Sequence, residues 1–269
     1  MESAFEFISL ASGSSGNCYY LGNGKQGVLI DAGISTRRIV QGLKKEGIEL
    51  KSLMGILVTH NHNDHIRALD LLTSKHHLPV YTTATVWKEI LGNPYHKKLA
   101  RDCVRNIDAN HVFNLAGWNI EAFTISHDTP ETLGFYLWKD RNKITVVTDL
   151  GYICDTAAHY IRQANFLVIE SNYDEQMLEN GPYPVFLKDR IRGMRGHLSN
   201  QSTADFLANN YHPELSHILL AHLSQQNNHP DLALNTLQTA LSQNELAAET
   251  NPYVATLSRS RVSERIQLP

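Results

Sequence analysis

VTHNHNDHIRAL, residues 58–69, sets three histidines and an aspartate within the six positions 60–65, directly after the apolar run Met54–Val58. In an extended segment alternate side chains share a face, so His60 and His62 point the same way and can hold one metal ion. Asn63 as N-cap predicts a helix over Asp64–Lys75. Asp64 and His65 then occupy its first turn, in different directions that suit a second ion beside the first. A polar surface loop is the alternative, and for any single histidine it is the ordinary reading. It accounts poorly for this stretch, because crowded imidazoles resist protonation and bring no packing gain.

The surrounding chain has 269 residues, 42 % of them hydrophobic, enough to bury a large core. A formal net charge of −3 carries no global nucleic-acid signature, so a polyanionic partner would need a local basic patch. Cys18, Cys103 and Cys154 form no C-x-x-C pair, which argues against a disulfide framework or a thiolate cluster and points to a reducing cytoplasm. MESAFEFISL has no basic segment followed by a long apolar one. Nothing approaches the roughly 18 apolar residues of a membrane span, so no membrane association is expected. Fourteen histidines point instead to metal or acid–base chemistry.

Strands followed by helices recur along the chain. Phe5–Leu10, Cys18–Leu21 and Gln26–Ile30 read as a meander, because SGSSGN and GNGK supply turn chemistry between apolar runs. Ser35 predicts the N-cap of a helix to Lys45, with Ile39, Val40 and Leu43 on one face. Strands are expected at Leu53–Val58, Val80–Thr82, Ile120–Ile125, Gly134–Trp138, Ile144–Val147, Phe166–Ile169 and Ile218–Leu220. Helices are expected at Thr85–Leu91, Ala157–Gln163, Ser202–Asn209 and Leu232–Leu241. No linker, repeat or low-complexity tract divides the chain, so residues 1–269 read as one domain of two sheets with helices outside. The segment Gly92–Asn114 fits no motif. The tail LSRSRVSERIQL reads as a final strand with Arg259, Arg261 and Arg265 outside.

HNHNDH resembles the signature of the metallo-β-lactamase fold superfamily, whose architecture is an α/β four-layer αββα sandwich. Its other landmarks follow in order: Asp31 in LID resembles the aspartate that supports the histidine loop. His127 in ISHD, Asp149 in VVTDLG and His222 in LLAHLS resemble the later ligand positions, with Asp128 an alternative acceptor beside His127. Each follows an apolar run. VIESNYD (168–174), GHLSNQSTADFL (196–207) and ILLAHLSQQNN (218–228) are similar to the phosphodiesterase branch that includes ribonuclease Z. Within it the likeness to YycJ/WalJ-type exonucleases spans nearly the whole chain, from SLASGSSGN to HLSQQNN.

The resemblance implies two divalent ions per chain, one on His60, His62 and His127, the other on Asp64, His65 and His222, with Asp149 bridging. Nitrogen and oxygen donors without cysteine fit zinc, manganese or iron. Such a pair activates water and stabilises a phosphoryl transition state from both sides. His197 would be the general acid, oriented by Glu170, with Asp64 also in the catalytic set; an ordinary helix-start histidine and strand-end carboxylate are the alternatives. Lys188, Arg190, Arg192 and Arg195 could track a phosphate backbone or form a solvated helix face. Ser12–Asn17, above all Ser14, Ser15 and Asn17, could cradle a terminal phosphate. Trp87, Tyr95 and Trp118 could stack bases or belong to the core. The expected activity is a 5′-end-directed DNA exonuclease, RNA remaining a possible substrate. Hydrolysis of a small cyclic or nucleotide phosphodiester is the nearest alternative, and a metal-stabilised nucleic-acid-binding module without turnover comes from a different class. A lactamase or thioesterase would leave GHLSN and ESNYD without a role.

Overall fold

The computed structural model describes residues 5–94 and 96–268. In chain order the elements are β1 (Glu6–Ala11), β2 (Cys18–Gly22), β3 (Gly27–Ile30), α1 (Thr36–Lys45), β4 (Leu53–Leu57), α2 (Asn63–Ile66), α3 (Leu69–His76), β5 (Val80–Thr82), α4 (Ala84–Gly92), β6 (Val104–Asn106), β7 (Val112–Leu115), β8 (Trp118–Ile125), β9 (Thr132–Lys139) and β10 (Asn142–Val147). They continue with α5 (Asp155–Ile161), β11 (Phe166–Glu170), α6 (Glu175–Asn180), α7 (Val185–Arg192), α8 (Asn200–Asn210), β12 (His217–Ala221), α9 (Pro230–Ser242), α10 (Glu245–Thr250), β13 (Tyr253–Thr256) and β14 (Ile266–Gln267). The fold is mixed α/β, with two seven-stranded sheets of order β14-β1-β2-β3-β4-β5-β6 and β13-β12-β11-β10-β9-β8-β7, flanked by helices. By contact the chain divides into two compact units.

Among the described residues the first unit holds 5–94, 96–122, 129–133 and 258–268. Its sheet opens as the expected antiparallel meander β1-β2-β3 and continues parallel through β4, β5 and β6. Parallel neighbours need a crossover, and α1 provides the one between β3 and β4. Ser35 caps α1 by accepting the Arg38 N–H, and Ile39, Gly42 and Leu43 are its buried residues; Val40 is only half-buried. The helix expected over Asp64–Lys75 is broken into α2 and α3, and His62, not Asn63, is the N-cap. The cause is long-range. The Asp64 carbonyl accepts from Asn17 N–H at 2.8 Å and the His65 carbonyl from Ala32 N–H at 2.7 Å, while Ala68 N–H turns to the Ala32 carbonyl at 2.9 Å. The ladder bonds that would join the two helices are therefore spent elsewhere.

The unassigned segment 92–114 packs within this unit. His96 Nδ1 lies 3.2 Å from Asp70, Ala100 N–H donates to Thr73 Oγ1, and β6 pairs with β5. Trp87 and Trp118 are buried, Trp118 edge-on to Phe5 at 4.9 Å, so neither offers a face to a base; Tyr95 lies outside the described residues. The tail contributes only the two-residue β14 among the described residues, and Arg265 lies exposed as expected, pairing from the surface with Glu6 and Glu46.

The second unit holds residues 123–128 and 134–257 among those described. Here β10, β11, β12 and β13 run parallel, each in register with the next. Crossovers through α5, through α6, α7 and α8, and through α9 and α10 make this possible. β11 is buried along its whole length, as a central parallel strand must be. Its Leu167 and Ile169 join Val147, Leu207, Leu220 and Leu237 in one apolar cluster.

Candidate active site

In both units the chemistry-bearing residues stand at the ends of strands, where parallel sheets place their open edge. Asp31 follows β3, His60 lies three residues beyond β4, His127 follows β8, Asp149 follows β10, Glu170 closes β11 and His222 follows β12. Asp31, Asp149 and His222 adopt the left-handed conformation, with φ of 60°, 62° and 55°. This costs a non-glycine residue about 1–2 kcal/mol, and each turn aims a side chain that a straight strand would have carried past the edge.

In the first unit the buried Asp31 carboxylate organises the histidine loop. It accepts Thr59 N–H at 2.9 Å, the Thr59 hydroxyl at 3.0 Å and His65 Nδ1–H at 2.7 Å. Thr59 Oγ1 in turn lies 3.0 Å from His60 Nδ1. The rings converge: His60 stands 4.7 Å from His62 and 4.1 Å from His65, centroid to centroid. Gly33 permits this. A Cβ there would fall 1.5 Å from the Asp64 carbonyl oxygen, so only glycine lets the LIDAG turn lie against the loop.

In the second unit Glu170 is the hub. Fully buried, it accepts His197 Nδ1–H and His222 Nδ1–H, both at 2.8 Å, through Oε1. Oε2 accepts Leu150 N–H and Leu198 N–H, both at 3.1 Å. One carboxylate thereby ties together the turn bearing Asp149, the GHLSN segment and His222. Burial alone would raise its pKa, but the charge and hydrogen bond of His197, with the hydrogen bond of His222, outweigh it and bring it down to about 2. The same contest acts on His197: burial disfavours its cation, and Glu170 overrides this and raises its pKa. His127 goes the other way, pushed down by burial. Ligand atoms of Asp149, Glu170, His197 and His222 lie within 4.8 Å of one another.

The donor set fits divalent metal. A histidine ligand usually gives its second ring N–H to an oxygen, which leaves the other nitrogen's lone pair for the ion. His65 does this to Asp31, His222 to Glu170, His127 to the Gly196 carbonyl at 3.0 Å and His60 to Thr59. His65 carries one complication. Asn17 Nδ2 stands 3.0 Å from its Nε2, a bond that an ion would have to replace.

Asn17 is thus placed differently from the phosphate contact expected of it. It is buried, and its Oδ1 accepts Gly13 N–H at 2.8 Å. The N–H groups of Ser12, Gly13, Gly16 and Asn17 are all taken within the chain. Ser14 and Ser15 are exposed, with Arg259 Nη1 reaching Ser14 Oγ at 3.4 Å. Sequence reasoning missed two supports. Thr59 sits inside the quoted stretch, and Asn172, from the ESNYD string, donates to the His222 carbonyl at 2.8 Å. The alternative acceptor Asp128 binds Arg190 and stands 3.2 Å from His127 Nε2.

Residues 26–218 match the beta-lactamase superfamily domain. The chain belongs to that superfamily. This superfamily member is 35 % identical to exodeoxyribonuclease YycJ of Bacillus anthracis over 241 residues, 88 % of this chain and 89 % of the relative. It is 32 % identical to exodeoxyribonuclease WalJ of Streptococcus pneumoniae over 262 residues, 95 % and 97 % of the two. The metallo-β-lactamase fold protein YhfI of Bacillus subtilis superimposes with a TM-score of 0.67 at 14 % identity, covering 96 % of this chain and 99 % of YhfI, which shows the fold. No helix among the described residues of this superfamily member is long and apolar enough to cross a membrane.

Proposed function

We propose that the chain is a single-domain phosphodiester hydrolase that degrades DNA from the 5′ end. Its two divalent ions are assigned to His60, His62, Asp64, His65, His127, Asp149 and His222. The observation that carries the reading is the bond from Glu170 to His197, a histidine outside the proposed ligand set held by a buried carboxylate that favours its cation. The exodeoxyribonuclease names of relatives matched over most of this chain support DNA as the substrate.

When bound, the ions supply an activated water and neutralise phosphoryl charge. The chain's own residues do the rest. Glu170 holds His197 through Nδ1, which fixes the tautomer and leaves Nε2–H as the donating atom of the imidazolium. As the bond from phosphorus to the leaving oxygen breaks, that oxygen takes the Nε2 proton and departs as a hydroxyl; His197 regains a proton from solvent before the next turnover. Asp31 and Thr59 keep the histidine loop in its ligating arrangement.

End-labelled single- and double-stranded DNA and RNA, beside a small chromogenic phosphodiester and each with zinc and with manganese, test the reading. Stepwise loss of 5′ nucleotides from linear DNA is the expected result. Turnover of the small diester alone would make the chain a small-molecule phosphodiesterase, and metal-dependent binding without turnover would make it a binding module.

A further inference from the structure

Helix α7 is unlike the other long helices in burying none of its side chains. Leu187 and Ile191, one turn apart, are half-buried and form its inner side. Val185 and Phe186 are 72 % and 74 % exposed, and Met194, just past the helix, is 69 % exposed; these are the most exposed large apolar side chains among the described residues. Scattered exposed apolar groups are ordinary, but three within ten positions, at the two ends of one short helix, are a local concentration.

This segment stands beside the proposed acid. Phe186 and Arg190 are four apart and share a helix face. Arg190 grips Asp128, whose other oxygen is 3.2 Å from His127 Nε2, and Phe186 precedes Arg190 by about one 5.4 Å turn of the helix. Met194 is held by its main chain: its carbonyl accepts Ser126 Oγ–H at 2.8 Å, and a Cβ on Gly151 would come within 2.3 Å of it. Met194 therefore borders the turn that carries Asp149. Arg195 Nε then donates to the His127 carbonyl at 2.9 Å, two residues before His197. In a chain of net charge −3, Lys188, Arg190, Arg192 and Arg195 fall within eight positions. The carboxylates of Asp128, Glu179 and Asp189 pair with Arg190 and Arg192, and both arginines keep solvent-exposed side chains.

We propose that α7 and Met194 are the track for a single-stranded segment of nucleic acid next to the scissile phosphate, with a base stacked on Phe186 and the phosphates beside the cations. The proposal rests on the hydrolase reading above. An aromatic face interleaved with cations suits this occupant, since every unpaired base offers a π-face and every linkage a negative charge. A duplex hides its base faces, and an apolar protein partner would have to desolvate the Arg190 and Arg192 side chains, which stay 62 % and 45 % exposed in their ion pairs.

The test compares the metal-loaded wild type with Phe186→Ala, Phe186→Trp and Met194→Ser, all at exposed positions that folding tolerates. Substrates are a 5′-phosphorylated single-stranded oligonucleotide and a small chromogenic diester. Phe186→Ala should lose about tenfold in kcat/KM on the oligonucleotide, through KM, and change by under about twofold on the diester; tryptophan should restore the loss. Unchanged oligonucleotide kinetics in Phe186→Ala, with wild-type exonuclease activity intact, would overturn the track alone. So would a wild-type dimer in sedimentation that Phe186→Ala converts to monomer. A wild type that neither binds nor cuts the oligonucleotide would overturn the hydrolase reading with it.

Discussion

Glu170 Oε1 and His197 Nδ1 are 2.8 Å apart, and the same oxygen receives His222 Nδ1 at the same distance. One buried carboxylate thus serves a proposed acid and a proposed metal ligand, and the two roles can be separated. His197→Ala should retain its metal while turnover falls by roughly 10²-fold or more, the usual scale for a positioned acid. The loss should shrink on a substrate with an activated leaving group. Metal analysis beside kinetics on two leaving groups reads both; equal losses would remove the acid role.

Asp149, at φ 62° after β10, is proposed to bridge the ions. Metal-loaded wild type should carry about two ions per chain, and Asp149→Ala should lose more than one. Elemental analysis measures this. Full activity after exhaustive chelation would refute the metal dependence.

Gly33→Ala tests the frame beneath the histidine loop. A methyl 1.5 Å from the Asp64 carbonyl oxygen must displace that backbone, and the bond from Asn17 N–H with it. The variant should melt several degrees lower, as a loss of about 1–3 kcal/mol implies, and should bind metal more weakly. A wild-type melting curve and metal content would show that the loop moves freely.

Ser14 and Ser15 are exposed and Arg259 reaches Ser14 at 3.4 Å, so terminal-phosphate recognition is expected from side chains. DNA with a 5′ phosphate should be degraded faster than the same strand with a 5′ hydroxyl. Replacing both serines by alanine, or Arg259→Ala, should narrow the difference and spare the small diester. Equal cutting of circular and linear DNA would exclude end recognition.

His217 on β12, stacked on Phe166 at 5.3 Å, has its pKa lowered by burial. The unfolded chain then binds more protons than the folded one, so stability rises with pH in this range. The contribution is complete above the unfolded value of about 6.5 and is lost as the pH falls through the lower folded value. Urea midpoints at pH 7.5 and 5.5 should therefore differ less in His217→Phe than in the wild type. Identical shifts would assign the acid sensitivity elsewhere, His212 being the first candidate because burial lowers its pKa too.

Period and turn chemistry are local properties, and what depends on them was legible in the residues alone. The meander of β1 to β3, the cap at Ser35, the apolar runs of β10, β11 and β12 and the strand ends at Asp31, Asp149 and His222 are of this kind. HNHNDH and the later histidines named the side chains now proposed to carry chemistry. Pairings across long sequence separations were not legible. The break between α2 and α3 comes from carbonyls captured by Asn17 and Ala32, about thirty to fifty residues away. Asn17 itself, in a loop whose glycines and serines suggest phosphate binding, is turned inward to His65. The basic run before His197 shows neither its exposed Phe186 nor the grip of Arg190 on Asp128, 62 positions back. A side chain's partner is chosen by whichever donor or acceptor the folded backbone brings within about 3 Å, and no local pattern contains that distance. The sequence by itself determined most of the strands and the donor types; only the tertiary structure decided that one oxygen of Glu170 would hold His197 and His222 together.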